Sequence, residues 1–160
     1  APRRVSGSGD QRAVACAAAY PADCRALITE SAQAFVEDRT IEGIRDAEQV
    51  FAQPGQHDRL RRYHGDKAAW VLSAWVDTWL APDFSSWNLD DDLRRVRCPV
   101  LAIHGDGDEF GSARHPERIA KLTTGHSTMV LLQQCGHVPH REKAEIVIDT
   151  VASWLSRPPQ

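Results

Sequence analysis

Two short, largely apolar runs, residues 99–104 (P-V-L-A-I-H) and residues 127–132 (S-T-M-V-L-L), flank a helical stretch at residues 115–122. Strands that are apolar throughout, rather than alternating, belong to a sheet covered on both faces, and parallel sheets crossed by helices are built that way. A third run, residues 24–29 (C-R-A-L-I-T), follows an alanine-rich helical segment at residues 12–20 that Pro21 ends. A last amphipathic helix is expected over residues 141–155, with Ala144, Val147, Ile148, Val151, Trp154 and Leu155 as its buried stripe. The fold class is therefore α/β, a parallel sheet flanked by helices, with a frayed proline-rich tail after Leu155.

Between Phe35 and Arg95 the strand signal disappears. Ile41, Ile44 and Ala47 recur at helical spacing over residues 40–51, and Pro54-Gly55 breaks the run. From Asp66 an amphipathic helix follows, with Ala68, Ala69, Leu72, Trp75, Val76, Trp79 and Leu80 on one broad face, until Pro82 stops it. Trp70, Trp75, Trp79 and Trp87 fall in or just after this helix; they are read first as helix packing and second as a substrate lining. Asp90, Asp91 and Asp92 are expected to cap a short helical turn rather than to bind a metal.

Composition removes several classes. The chain has 160 residues, 42% of them hydrophobic and 26% charged, enough for one domain with a core. No run approaches the length of a membrane span, so none is expected, and no leader-like segment stands at Ala1. A net charge of −3 with scattered arginines speaks against nucleic acid as a partner. Four cysteines are too few for a disulfide scaffold; Cys16 in the alanine run and Cys98 beside a strand are read as small hydrophobes. A cytoplasmic location is the expectation.

Functional groups of parallel sheets collect at the carboxyl ends of strands. Two such ends stand out: H-G-D-G-D-E at residues 104–109, and Q-C-G-H-V-P-H at residues 134–140. Neighbouring strands would bring Asp108 to His137, the carboxylate fixing the ring tautomer and stabilising imidazolium while the other nitrogen takes a proton. Asp106 is read as a binder of turn amides, Glu109 as a loop-fixing carboxylate, His140 as a residue behind the site, and His104 stays open. Cys135, His137 and His140 are potential zinc ligands, but their spacing is unconventional and the paired cysteines of a finger are missing. Ser6-Gly7-Ser8-Gly9 lacks the lysine and spacing of a phosphate loop. No metal and no cofactor are expected.

Several stretches taken together resemble the C-terminal part of an α/β-hydrolase. They are A-A-A-Y-P-A-D-C-R-A-L-I-T-E-S-A-Q-A-F-V-E-D (17–38), R-Y-H-G-D-K (62–67), W-V-D-T-W-L-A-P-D-F-S-S-W-N (75–88), R-C-P-V-L-A-I-H-G-D-G-D-E-F-G-S (97–112) and G-H-V-P-H-R-E (136–142). The nearest flavour is that of small esterases and of hydrolases acting on carbon–carbon bonds of ring-cleavage products. The resemblance implies Asp108 as the catalytic acid, His137 as the base, and a partial hydrolase core in residues 1–34 and 96–160 with a helical cap in residues 35–95. It implies a carboxylic ester or related acyl substrate, small and apolar or aromatic, attacked through a Ser-His-Asp mechanism where a nucleophile is supplied.

The family's nucleophile elbow reads glycine, any residue, serine, any residue, glycine. Counting back from Tyr20-Pro21 puts Gly7 at the serine position. Ser8 is the nucleophile candidate, with Asp10 where the second glycine stands, and Ser6 would need a different helix length. Fewer than ten residues precede this point, where family members carry four strands and an oxyanion loop. Three strands are expected, four if residues 2–5 pair, and the free sheet edge calls for a second copy or a partner chain. The alternative reading is a non-catalytic fragment or interaction domain that retains the Asp–His pair.

Overall fold

The computed structural model describes residues 9–156. The chain divides into two compact units, Ala1–Phe35 with Asn88–Gln160, and Val36–Trp87.

Among the described residues the first unit is built on three parallel strands in the order β1 (Leu27–Glu30), β2 (Val100–Gly105), β3 (Ser127–Leu132). Leu27 pairs with Val100, and Val100 with Ser127, so the strands enter the sheet level with one another. All six residues of β2 are buried, which explains why this run is apolar throughout: it is the middle strand and is covered on both faces. Helix α1 (Gly9–Ala19) precedes β1 and buries Gln11, Val14, Ala17 and Ala18. Asp10 sits in its first turn, where a negative charge complements the helix dipole. Helix α6 (Arg114–Leu122) crosses from β2 to β3 and buries His115, Pro116 and Ile119. The short helix α5 (Asp90–Leu93) contains the three aspartates; Asp90 is held by both Nε and Nη2 of Arg118, each at 2.7 Å.

The expected final helix is two helices, α7 (Pro139–Glu142) and α8 (Ala144–Leu155), separated at Lys143, which has φ −136°. The core on this face joins Leu101, Ile103, Leu132, Cys135 and Val147, with Val151 and Trp154 packed against it. The wider stripe expected for α8 is corrected: Ala144 is exposed, and Ile148 and Leu155 are 65% and 57% exposed. The face of α8 that reads as apolar is broader than the part of it lying on β2 and β3. Residues 2–5, the possible fourth strand, lie outside the described residues.

The second unit is helical: α2 (Asp38–Phe51), α3 (Gln56–His64), a 3₁₀ turn Gly65–Lys67, α4 (Ala68–Leu80) and a 3₁₀ turn Pro82–Phe84. Helix α3 carried no periodic signal because Q-H-D-R-L-R-R-Y-H buries nothing; it is bounded by Gly55 and Gly65, both at positive φ. On α4, Ala68, Val76 and Trp79 are buried, whereas Ala69 is exposed, which narrows the expected face. Trp79, Phe84 and Trp87 form an aromatic cluster with ring centroids 5.2 to 5.6 Å apart. Among the described residues no helix is long and apolar enough to cross a membrane.

Candidate functional site

The carboxyl ends of β2 and β3 are stitched together before any functional side chain enters. The amide of Asp106 donates to Leu132 O at 2.9 Å, and that of Gly107 to Cys135 O at 2.9 Å. Asp106 Oδ1 in turn accepts from the Cys135 amide at 3.3 Å. A Cβ on Gly105 would collide with the carbonyl oxygens of Cys135 and Gly136, so only glycine lets the loop after β3 cross here. Gln134, at φ 52°, turns the chain sharply as it leaves β3. Glu142 then holds the loop from the far side, accepting from Gly136 N at 2.7 Å and Val138 N at 3.1 Å.

These constraints deliver His137 to Asp108. His137 Nδ1 lies 3.0 Å from each carboxylate oxygen. The carboxylate can only accept, so Nδ1 carries the proton and Nε2 is the nitrogen left for proton exchange. Asp108 is fully buried and His137 is 30% exposed, the arrangement an acid–base pair needs when only the imidazole is to meet a substrate. The Phe110 amide donates to Asp108 Oδ1 at 2.8 Å, and the Phe110 ring stands edge-on to the imidazole at 4.8 Å.

Burial pushes the Asp108 carboxyl up, but the hydrogen bond and charge of His137, with the Phe110 amide, outweigh it and hold it below 3.8. Burial likewise pushes His137 down; the hydrogen bond and charge of Asp108, joined by the charges of Glu109 and Asp10, raise it above 6.5. Asp10 lies within electrostatic reach of this imidazole. Its carboxyl is raised above 3.8, first by burial, although it accepts from the Glu30 amide at 3.0 Å. The head of α1 and the end of β1 therefore belong to the same neighbourhood as His137.

Other residues of the two motifs do different work. His140 turns to β1, its amide 2.9 Å and its Nδ1 2.6 Å from Glu30 Oε1. His104 is buried, with Nε2 at 3.0 Å from Gly111 O and 3.3 Å from Asp108 Oδ2. Sequence reasoning left this second imidazole on the acid unassigned, although its place three positions before Gly107 on an apolar strand was visible. Glu142 and Gly105 were missed as well, since nothing in a sequence says which loop a carboxylate will clamp. Among the described residues no group of three or more His, Cys, Asp or Glu is arranged to hold a metal ion. Ser6 and Ser8 lie outside the described residues.

No protein-family model and no curated protein sequence matches the chain. Solved structures do. A membrane phospholipase A, described as a bacterial virulence factor, superposes with a TM-score of 0.71 at 20% identity, over 93% of this chain and 54% of its own. The carbazole-degradation serine hydrolase CarC gives 0.69 at 18% identity, over 94% and 61%. The proline iminopeptidase of Mycobacterium smegmatis gives 0.59 at 17%, over 92% and 62%. The chain has the α/β-hydrolase fold. It spans a little over half the length of these three structures, and at such identities the likeness concerns the fold. Within the α/β-hydrolase fold, Asp108 and His137 stand after two successive neighbouring strands of the sheet.

Proposed function

We propose that this chain carries the acid–base arm of a serine-type hydrolase for carboxylic esters or related acyl substrates, with Ser8 as the nucleophile. The observation that supports it is the contact between buried Asp108 and partly buried His137 across the ends of β2 and β3. Asp10, in the first turn of α1, lies within electrostatic reach of His137.

In this reading Ser8 Oγ attacks the substrate carbonyl while His137 Nε2 takes its proton, and the Asp108 carboxylate stabilises the imidazolium. The tetrahedral oxyanion takes a hydrogen bond from the Gly9 amide. Collapse expels the alcohol, which receives the proton from His137, and leaves an acyl-serine. Water, deprotonated by His137, then releases the acid. The helical unit, Val36–Trp87, is assigned as the cap.

A fluorophosphonate probe tests this directly. The expected result is covalent labelling mapped by mass spectrometry to Ser8, lost in Ser8→Ala and strongly slowed in His137→Ala. Protein that is folded by circular dichroism yet takes no label at any serine overturns it. That outcome would favour the second reading, an interaction domain without catalysis, which the exposed Ile148 and Leu155 of α8 also support.

A further inference from the structure

The entries to β1 and β2, at the other end of the sheet from His137, bring together two cysteines that are 74 residues apart in sequence. Cys24 Sγ and Cys98 Sγ are 3.4 Å from one another, and both are free thiols. We propose that they form an oxidisable pair, closed to an intrachain disulfide by hydroperoxides or low-molecular-weight disulfides, which clips the entry of β1 to the entry of β2.

Geometry carries the proposal. A disulfide has its sulfurs about 2.0 Å apart and its Cα atoms usually about 4.4–6.8 Å apart. The sulfurs here therefore need to close by little more than about 1 Å. Neighbouring strands are spaced about 4.8 Å, inside the Cα range. Leu27 N donates to Pro99 O at 2.9 Å, so the sheet ladder already ties the two segments beside the cysteines. The Cys98 backbone has little freedom: a Cβ on Gly125 would collide with its carbonyl, and Thr124 bonds twice to Val96 O. Cys24 lies in the turn after α1, where its amide bonds to Tyr20 O at 3.2 Å, a short connection able to make the adjustment.

The two thiols differ in the way a reacting pair should. Cys98 is 5% exposed, whereas Cys24 is half-buried and open to a small reagent. Burial, with the neighbouring Cys24 sulfur, pushes the Cys98 thiol up to about 11, so it persists as the protonated partner. Cys24, the more accessible of the two, is the sulfur oxidised first. Its thiolate attacks a peroxide oxygen, the O–O bond breaks, and Cys24 becomes a sulfenic acid as hydroxide or alkoxide leaves. The Cys98 sulfur attacks the sulfenic sulfur, losing its proton, and water departs. Two thiols are oxidised and one peroxide is reduced. With a small disulfide as oxidant, the same two attacks release two small thiols. Cys16 is exposed on α1, and Cys135 is buried beyond the opposite end of the sheet, so each serves as an internal control.

The test is oxidation of the folded chain with hydrogen peroxide or oxidised glutathione, followed by thiol titration, non-reducing peptide mapping and thermal melting. Expected are two titratable thiols in place of four, a linked peptide joining Cys24 to Cys98, and a rise in Tm on the order of 5–15 °C, as closing so long a loop gives. Dithiothreitol should reverse all three. Cys24→Ser and Cys98→Ser should each abolish the link and the Tm rise, and a sulfenic-acid trap should label Cys24 in the Cys98→Ser protein. Four thiols surviving in oxidised, folded protein would overturn the proposal. So would a linked peptide containing Cys16 or Cys135, or a Tm rise that persists in Cys24→Ser.

Discussion

The carbonyl oxygen of Cys135 occupies the space where a side chain on Gly105 would begin. Through that approach the loop leaving β3 lies directly on the backbone at the end of β2, and the imidazole of His137 comes down beside Asp108.

Gly105→Ala should therefore damage both the fold and the site. The obstructing atoms are backbone carbonyls, which cannot rotate aside as a side chain would. Overpacking of this kind costs about 1–3 kcal/mol, to be read as a lowered urea midpoint with an unchanged slope. The His137 imidazole signals should shift in the same variant. A midpoint equal to that of the parent chain would show that the loop has room to spare.

Asp108→Asn should keep the fold and lose the chemistry. The amide can still meet His137 Nδ1, but it cannot stabilise imidazolium and it permits the wrong tautomer. Under the proposed function, labelling by a fluorophosphonate should slow on the order of 10³–10⁴-fold. Equal labelling rates in the two proteins would remove Asp108 from the mechanism.

The pH dependence has a definite sign. His137 is held above 6.5 and must be neutral to accept a proton, so reaction with the probe should rise with pH through a midpoint above 6.5. The same pairing contributes stability that is full below 6.5 and is lost as pH rises through the folded value. For Asp108, held below 3.8, the contribution is full above 3.8 and is lost as pH falls through its folded value. An NMR titration of the imidazole should show the midpoint falling in Asp108→Asn, since burial then acts with less opposition. A midpoint that stays put would mean that Asp108 does not set it.

Which parts of this arrangement could be read in advance follows from where each signal resides. The three strands were legible because V-L-A-I-H and M-V-L-L have no polar alternation, and the observed β3 has the bounds read from sequence. The Asp108–His137 contact was legible because adjacent parallel strands bring their carboxyl ends together. Helix α3 was not, since its nine residues bury nothing and leave no apolar period. Nor was the break at Lys143: the helix expected from Arg141 has no proline or glycine at that point, and the φ of −136° at Lys143 leaves no mark in the sequence. The 3.4 Å approach of Cys24 to Cys98 is likewise invisible to spacing, because it depends on the register of β1 against β2.

Glu142 offers a test of the loop that does not depend on catalysis. Its two carboxylate oxygens each accept one backbone amide, from Gly136 and from Val138, on either side of His137. Both bonds are charge-assisted but exposed, so removal should cost about 1 kcal/mol rather than the value of a buried pair. Glu142→Ala should then speed hydrogen exchange at Gly136 and Val138 roughly fivefold, while amides of β2 exchange as before. Glu142→Gln keeps one accepting oxygen and should restore protection at one of the two positions only. Because His137 lies between the two clamped amides, the Ala variant should also show greater mobility of its imidazole while retaining Asp108 as a partner. Unchanged exchange at both amides would mean that the loop is held by its contacts with Gly105 and Asp106 alone, and that Glu142 is a surface charge.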